Sequence, residues 1–293
     1  MTHQPVLLKE AVSLLDIQKG EMIIDGTAGS GGHAEAILKV IGQSGKLLMA
    51  DWDKMAIAKL KEKFKHFSNV ILANDNYRNL PKILENNNLP KANGLLLDLG
   101  FSSEQIESRG RGFSFQSSAA GEQLLMTYSD ELESLGHWLK RVAFEELRRV
   151  ISEFGEERYA NKIAKAIFDN KSAINTAGDL AEIIKKAVPK SYERGRIHPA
   201  TRTFQAFRIF LNQELENLRS LLNALSEILQ PAGRIVIISF HSLEDRIVKR
   251  TFQELSKKGR LKILTKKPIR PSEEEIKINP RARSAKLRAA IMN

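Results

Sequence analysis

Between Met22 and Leu99 short apolar runs alternate with stretches of helical spacing, and this alternation narrows the fold more than any other feature of the chain. Met22 to Asp25, Lys46 to Asp51, Asn69 to Ala73 and Gly94 to Leu99 read as strands, while His33 to Ile41, Lys54 to His66 and Tyr77 to Asn86 read as helices. Strands joined by crossover helices form a parallel sheet with helices on both faces. The expected fold class is therefore α/β, a doubly wound, Rossmann-like sheet.

The strand signal stops after Phe101 and gives way to helical spacing over Leu132 to Phe154 and Arg158 to Val188. Phe204, Phe207, Leu211, Leu215, Leu218, Leu222, Leu225 and Leu229 then step by three or four, predicting one buried face of a long helix that stops at Gln230-Pro231-Ala232-Gly233. Strand-like residues return at Arg234 to Phe240 and Leu261 to Thr265, with Lys286 to Met292 expected as an edge strand and Ser242 to Leu255 as a helix. The predicted organisation is a core over 1–103, an inserted helical substrate-recognition domain over 104–200, and the rest of the core with a basic C-terminal segment over 201–293.

Charge is unevenly spread. Of the net +11, the segment from Lys257 to Asn293 holds 12 basic and 3 acidic residues, leaving only +2 for everything before it. A basic segment on a nearly neutral core favours an anionic partner, nucleic acid first, although a solvated surface has the same composition. Cysteine is absent, which excludes disulfides, thiolate nucleophiles and Cys-ligated zinc. The apolar run Val6 to Leu8 is interrupted by Lys9 and Glu10, too short for a signal peptide, and no later stretch reaches the length of a membrane span. A reducing cytoplasm is the expected compartment.

The first strand runs into Asp25-Gly26-Thr27-Ala28-Gly29-Ser30-Gly31-Gly32-His33, a glycine-rich turn opening a helix. Such a turn lets backbone N–H groups approach a ligand closely. Asp51 ends the second strand, where a carboxylate can accept ribose hydroxyls of a nucleoside cofactor. Gly29 to Ala34 also satisfies the dinucleotide form G-x-G-x-x-A, so an NAD-dependent oxidoreductase stays open. Asp25 favours S-adenosylmethionine instead, because a carboxylate there repels a pyrophosphate but can meet the ammonium of a methionine moiety.

Asp98, at the end of the fourth strand in Leu97-Asp98-Leu99-Gly100-Phe101, has the order of the D-P-P-Y type motif of amino methyltransferases. An exocyclic amino nitrogen shares its lone pair with the ring and needs an acceptor for its N–H, and Asp98 is the candidate catalytic residue. Arg111 and Phe113, in Arg109-Gly110-Arg111-Gly112-Phe113-Ser114-Phe115, suit phosphate and base contacts. Arg202 and Gln205, at the start of the long helix beside Arg208 and Asn212, are further substrate candidates, as are Arg281 and Arg283 in the basic segment. His241 is expected at the carboxyl edge of the sheet, just before Ser242 and Asp245, whose spacing predicts a capping box. No histidine has the partner spacing of a metal site, and no metal is expected.

Taken together, these residues resemble the ribosomal RNA small subunit methyltransferase H (RsmH/MraW) family. The resemblance runs through Pro5 to Glu10, Gly31-Gly32-His33, Leu97 to Gly100 with Ser102-Ser103, Arg111 to Phe115, Gly155-Glu156-Glu157, His198 to Ala206, Ser239 to Lys249 and Asn279 to Ser284. It implies a class I methyltransferase core with a helical insertion after strand four. The implied activity is S-adenosylmethionine-dependent N4-methylation of a cytidine in the decoding region of 16S rRNA of the small ribosomal subunit, in the bacterial cytoplasm. Carried over by position, cofactor contacts fall on Gly31, Gly32, His33, Asp51, Tyr77, Asp98 and Gln105. Where the family commonly has Asp-Met-Arg-Met-Asp, this chain reads Gly121 to Asp130, and Phe101 stands at a usually aliphatic position. Alternatives are a methyltransferase for another RNA base or for protein, and a non-catalytic rRNA-binding assembly factor.

Overall fold

The computed structural model describes residues 5–99, 110–115, 121–193 and 198–293. The chain forms two compact units, Met1–Gly100 with Leu215–Asn293, and Phe101–Glu214.

The first unit holds a seven-stranded sheet in the order β3-β2-β1-β4-β5-β7-β6. Its strands are β1 (Met22–Asp25), β2 (Lys46–Asp51), β3 (Val70–Asn74), β4 (Ala92–Asp98), β5 (Leu229–Ser239), β6 (Leu261–Ile263) and β7 (Lys286–Met292). The first five are parallel, and β7 runs antiparallel to both β5 and β6. This is a doubly wound, Rossmann-like sheet with one antiparallel strand. Side chains alternate strictly between its faces: Ile23, Leu96, Val236 and Ile238 enter one core, and Ile24, Leu95, Leu97, Ile235 and Ile237 enter the other. Burial on both faces explains why these strands read as unbroken apolar runs. The helices α1 (Leu8–Leu15), α2 (Gly32–Ile41), α3 (Lys54–Lys63) and α4 (Leu80–Asn86) complete its first half.

The second unit is helical, with α5 (Leu135–Arg141), α6 (Phe144–Gly155), α7 (Ala160–Asn170), α8 (Ala177–Ala187), α9 (Lys190–Glu193) and α10 (Thr201–Leu211). Its core gathers Trp138, Leu147, Ile151, Ile163, Leu180, Phe204 and Phe207. Because Phe204, Phe207 and Leu211 are buried there, the sheet unit resumes at Leu215 rather than at 201.

Three local expectations are corrected. The long helix from Arg202 is broken into α10, α11 (Glu214–Asn223) and α12 (Leu225–Ile228). The first break is built by Asn212, fully buried, which donates to the Met126 carbonyl at 2.9 Å and accepts the Tyr128 N–H at 2.8 Å, while Gln213 takes φ 51°. The expected stop at Gln230 to Gly233 lies inside β5 as an irregularity, where pairing jumps from Ala92↔Leu229 to Gly94↔Arg234 and Ala232 has φ 62°. Lys286 to Met292 is not an edge strand: β7 lies between β5 and β6, and β6 forms the edge. Arg288 and Lys286 on β7 reach Asp245 at 2.7 and 3.2 Å, so two of the twelve C-terminal cations serve the sheet, and the other ten are exposed.

Candidate cofactor and methyl-transfer site

The sheet order reverses direction between β1 and β4, so their carboxyl ends flank the crevice where ligands of such sheets bind. Each of the five parallel strands ends on a polar residue, Asn74, Asp51, Asp25, Asp98 and Ser239 in turn across the sheet. Among them Asp25, Asp51 and Asp98 converge on the glycine loop.

Two glycines fix the shape of that loop. Gly31 caps α2 with φ 78°, in the left-handed region that side chains other than glycine rarely adopt. Gly32 begins α2 with Pro5 so close that a Cβ would stand 2.4 Å from the proline Cγ. The loop is tied down by carboxylates and by a lysine. Asp51 Oδ2 accepts the Gly29 N–H at 2.8 Å and Oδ1 accepts the Asp53 N–H at 2.9 Å. Lys63, on α3, donates to the Ser30 carbonyl at 2.8 Å and pairs with Glu35 at 2.8 Å.

Asp25 does not take the position expected of it. It is only 2% exposed, and Oδ1 accepts the Thr27 N–H at 3.2 Å. That leaves too little surface for an ammonium group to reach it, so Asp25 organises the loop from beneath. Burial pushes its carboxyl up to about 6, against the pull of the nearby His33. Burial does the same to Asp51, also about 6, against the donated N–H groups of Asp53 and Gly29.

Asp98 closes β4 with its N–H donated to the Thr27 hydroxyl at 2.6 Å and its Oδ2 3.8 Å from His33 Nδ1. His33 is buried, with Nε2 3.1 Å from the Val6 carbonyl. Burial pulls the His33 pKa below its ordinary value, partly offset by Asp25. A neutral ring donating from Nε2 to a carbonyl has its lone pair on Nδ1, the nitrogen that faces Asp98. Beside Val6, the Leu7 N–H is held by Glu275 Oε1 at 2.7 Å. Thr27 and Glu275 carried no distinctive sequence signal, the second because it meets its partner across 268 residues.

Tyr77 begins the 3-10 turn Tyr77–Asn79, which is capped by Asn76 accepting the Arg78 N–H. Gln105, Phe101, Ser102 and Ser103 lie outside the described residues. His241 is displaced from its expected role. It, not Ser242, caps helix α13 (Ser242–Lys257), and the capping box pairs it with Glu244 rather than Ser242 with Asp245. The two side chains meet at 3.0 Å and are 7% and 4% exposed, leaving little of His241 for a substrate. Arg281 and Arg283 are exposed on the turn Pro280–Ser284, on either side of buried Ala282.

In the helical unit, Arg111 donates to the Thr127 carbonyl at 2.8 Å and meets Asp130 at 3.2 Å, and Glu122 accepts the Gly112 N–H. The segment that departs from the family pattern thus clamps this loop. Phe113 lies 5.5 Å from the Tyr128 ring and against the helical core, so its ring is already engaged. Arg202 is exposed and Gln205 half-buried. The rest of the expected polar ridge is structural: Arg208 forms a two-pronged pair with Glu214 at 2.8 and 2.9 Å, and Asn212 is the buried helix breaker.

A family model described as the MraW methylase family matches residues 1–292. The chain belongs to the MraW methylase family. Ribosomal RNA small subunit methyltransferase H of Halothermothrix orenii is 42% identical over 99% of this chain and 98% of its own length. The protein of the same name from Thermotoga neapolitana is 45% identical over 98% and 95%. A crystal structure from Clostridium thermocellum, provisionally assigned as an rRNA-methylase, covers this chain from end to end at 12% identity and a TM-score of 0.50, a likeness of fold.

As an MraW methylase the protein is a methyltransferase whose cofactor is S-adenosylmethionine, which closes the oxidoreductase alternative. The site fits that cofactor. Gly31 and Gly32 let the loop pack against Leu60, Phe64 and Pro5 where no Cβ fits, and so fix the N-terminus of α2 at the carboxyl edge of the sheet. The Asp51 carboxylate meets the N–H groups of Gly29, Asp53 and Trp52, which leaves one of about four lone-pair sites for a ribose hydroxyl. Among the described helices none is long and apolar enough to cross a membrane.

Proposed function

We propose that this methylase transfers a methyl group to the exocyclic N4 of a cytidine in the decoding region of small-subunit 16S ribosomal RNA, in the bacterial cytoplasm. The relatives' names support the RNA. The observation that carries the chemistry is Asp98, held at the end of β4 by Thr27 and facing the Nδ1 of His33. Gly31, Gly32, Asp51, Tyr77 and Gln105 would hold the cofactor, which supplies a methyl on a sulfonium and departs as a neutral thioether. The protein's work is then placement and proton handling. Asp98 accepts the N4 N–H, which restores lone-pair density on nitrogen, and it takes the proton as the N–C bond forms and the C–S bond breaks. His33 Nδ1 stands where it can receive that proton in turn. Arg111, Arg202, Arg281, Arg283 and the exposed C-terminal lysines supply phosphate contacts.

The test is to incubate the protein with labelled S-adenosylmethionine and either unmodified small subunits or naked 16S rRNA, then identify modified nucleosides by mass spectrometry. N4-methylcytidine with one of these substrates is expected, and its absence with both overturns the reading.

A further inference from the structure

The helical unit carries a polar and aromatic cluster that methyl transfer leaves unused. Its anchor is Glu157, 3% exposed, just beyond the end of α6. Oε1 of Glu157 accepts the Tyr159 N–H at 2.8 Å, and Oε2 accepts the Tyr192 hydroxyl at 2.6 Å. The two phenol rings lie 5.6 Å apart, inclined at 60°. Over both rings sits the guanidinium of Arg158, 4.7 Å from the Tyr159 centroid and 5.4 Å from that of Tyr192. Arg202 arrives from the first turn of α10 and donates to the Glu156 carbonyl at 3.2 Å. Burial and the Glu157 hydrogen bond push the Tyr192 hydroxyl up to about 12, opposed by both arginines.

The charge arrangement is unusual for this unit. Arg141, Arg148 and Arg149 each pair with a glutamate, whereas among the described residues neither Arg158 nor Arg202 has a carboxylate within ion-pair distance. Glu157 spends its charge inside, on Tyr192 and Tyr159. What faces outward is two exposed guanidinium groups, that of Arg158 lying on two half-buried rings that pack against the helical core. Planar guanidinium forks match phosphate oxygens, and a guanidinium plane is itself a surface on which an unstacked base can lie.

We propose that Arg158 and Arg202 form a docking site for single-stranded RNA, with the arginines on phosphates and the plane of Arg158, backed by the Tyr159 and Tyr192 rings, open to a base. The proposal rests on the reading that the substrate is ribosomal RNA, and adds a contact site on the helical unit. An acidic peptide would satisfy the charges but not the stacking plane of Arg158.

The test measures binding separately from methylation. The full-length protein is titrated against a fluorescent single-stranded oligoribonucleotide and against 16S rRNA over a salt series, with R158E/R202E, R158K/R202K and Y159A variants. The charge-reversal variant is expected to bind at least tenfold more weakly, and its slope of log affinity against log salt to fall by about 1.4, two phosphates at about 0.7 each. The lysine variant restores most of the slope, Y159A, which removes the ring beneath Arg158, weakens binding without changing the slope, and the arginine variants keep wild-type S-adenosylmethionine affinity and melting temperature. Unchanged RNA affinity in folded R158E/R202E overturns the proposal, as does displacement by polyglutamate as effective as by an oligoribonucleotide of equal charge. If the wild type methylates rRNA while the variants bind normally, this site falls and the methylation reading stands. If RNA binding depends on Arg158 while no methylcytidine forms, the site stands and the methylation reading falls.

Discussion

The Nδ1 of His33 faces the Oδ2 of Asp98 at 3.8 Å, while its Nε2 is fixed at 3.1 Å from the Val6 carbonyl. The carbonyl can only accept, so Nε2 carries the proton and Nδ1 is the basic nitrogen. Aspartates 25 and 98, with Glu275, are the charges nearest this ring. Replacing His33 with Gln keeps a donor for Val6 but removes the basic nitrogen. We expect H33Q to lose roughly 10- to 100-fold in kcat, within the usual range for proton-transfer groups, with a smaller change in KM for S-adenosylmethionine. The wild-type rate falls as pH drops and Nδ1 is protonated, below the ordinary histidine value because burial opposes the charge. H33Q loses that acidic limb, and a kcat equal to wild type would remove the imidazole from the reaction.

Asp98 carries the stronger expectation. Asp98→Asn preserves shape and the backbone bond to Thr27 but cannot take a proton, so single-turnover methyl transfer should fall by about 10² or more. Asp98→Ala should abolish turnover. Near-normal transfer by either variant, with the cofactor saturating, would exclude the carboxylate as acceptor.

Asp25 is a loop organiser whose ionisation the fold opposes. Its carboxyl rises from 3.8 to about 6 on burial, which corresponds to a cost on the order of 3 kcal/mol when it is charged. A folded-state value above the unfolded one means stability is greatest below the unfolded value and is lost as pH rises through the folded value. Asp25→Asn keeps an oxygen for the Thr27 N–H and removes the charge. Melting curves at pH 8 should show D25N more stable than wild type, with the gap closing by pH 4. A gap that is absent at pH 8, or that widens in acid, contradicts this account.

The legible parts of this protein were those set by local chemistry. Strands buried on both faces wrote themselves as apolar runs, and Gly31, whose φ of 78° excludes most other residues, marked the loop. The illegible parts depend on partners far along the chain. The continuous stripe from Phe204 to Leu229 promised one helix, but it was cut where Asn212 answers the backbone of Met126 and Tyr128. The capping box moved from Ser242 to His241 because an imidazole and Glu244 provided the same pair of hydrogen bonds one residue earlier. Asp25 was misplaced because sequence spacing shows which strand end carries a carboxylate and not which way it turns. Glu275, holding Leu7, was invisible for the plainest reason, distance in sequence.

The basic segment supplies the last prediction. Of its twelve cations, Lys286 and Arg288 are committed to Asp245, and Arg281 and Arg283 project from a turn whose Ala282 is buried in the core cluster that also holds Val6, Leu7, Ala28 and Ala34. The turn thus shares a core with the residues around the glycine loop, within the same unit. Lys286→Ala or Arg288→Ala should therefore lower melting temperature with little effect on RNA affinity in the folded protein. Arg281→Ala with Arg283→Ala should do the reverse, weakening RNA binding several-fold and reducing its salt slope, with melting temperature unchanged. If both pairs shift RNA affinity and stability alike, the division of this charge between sheet and RNA is wrong.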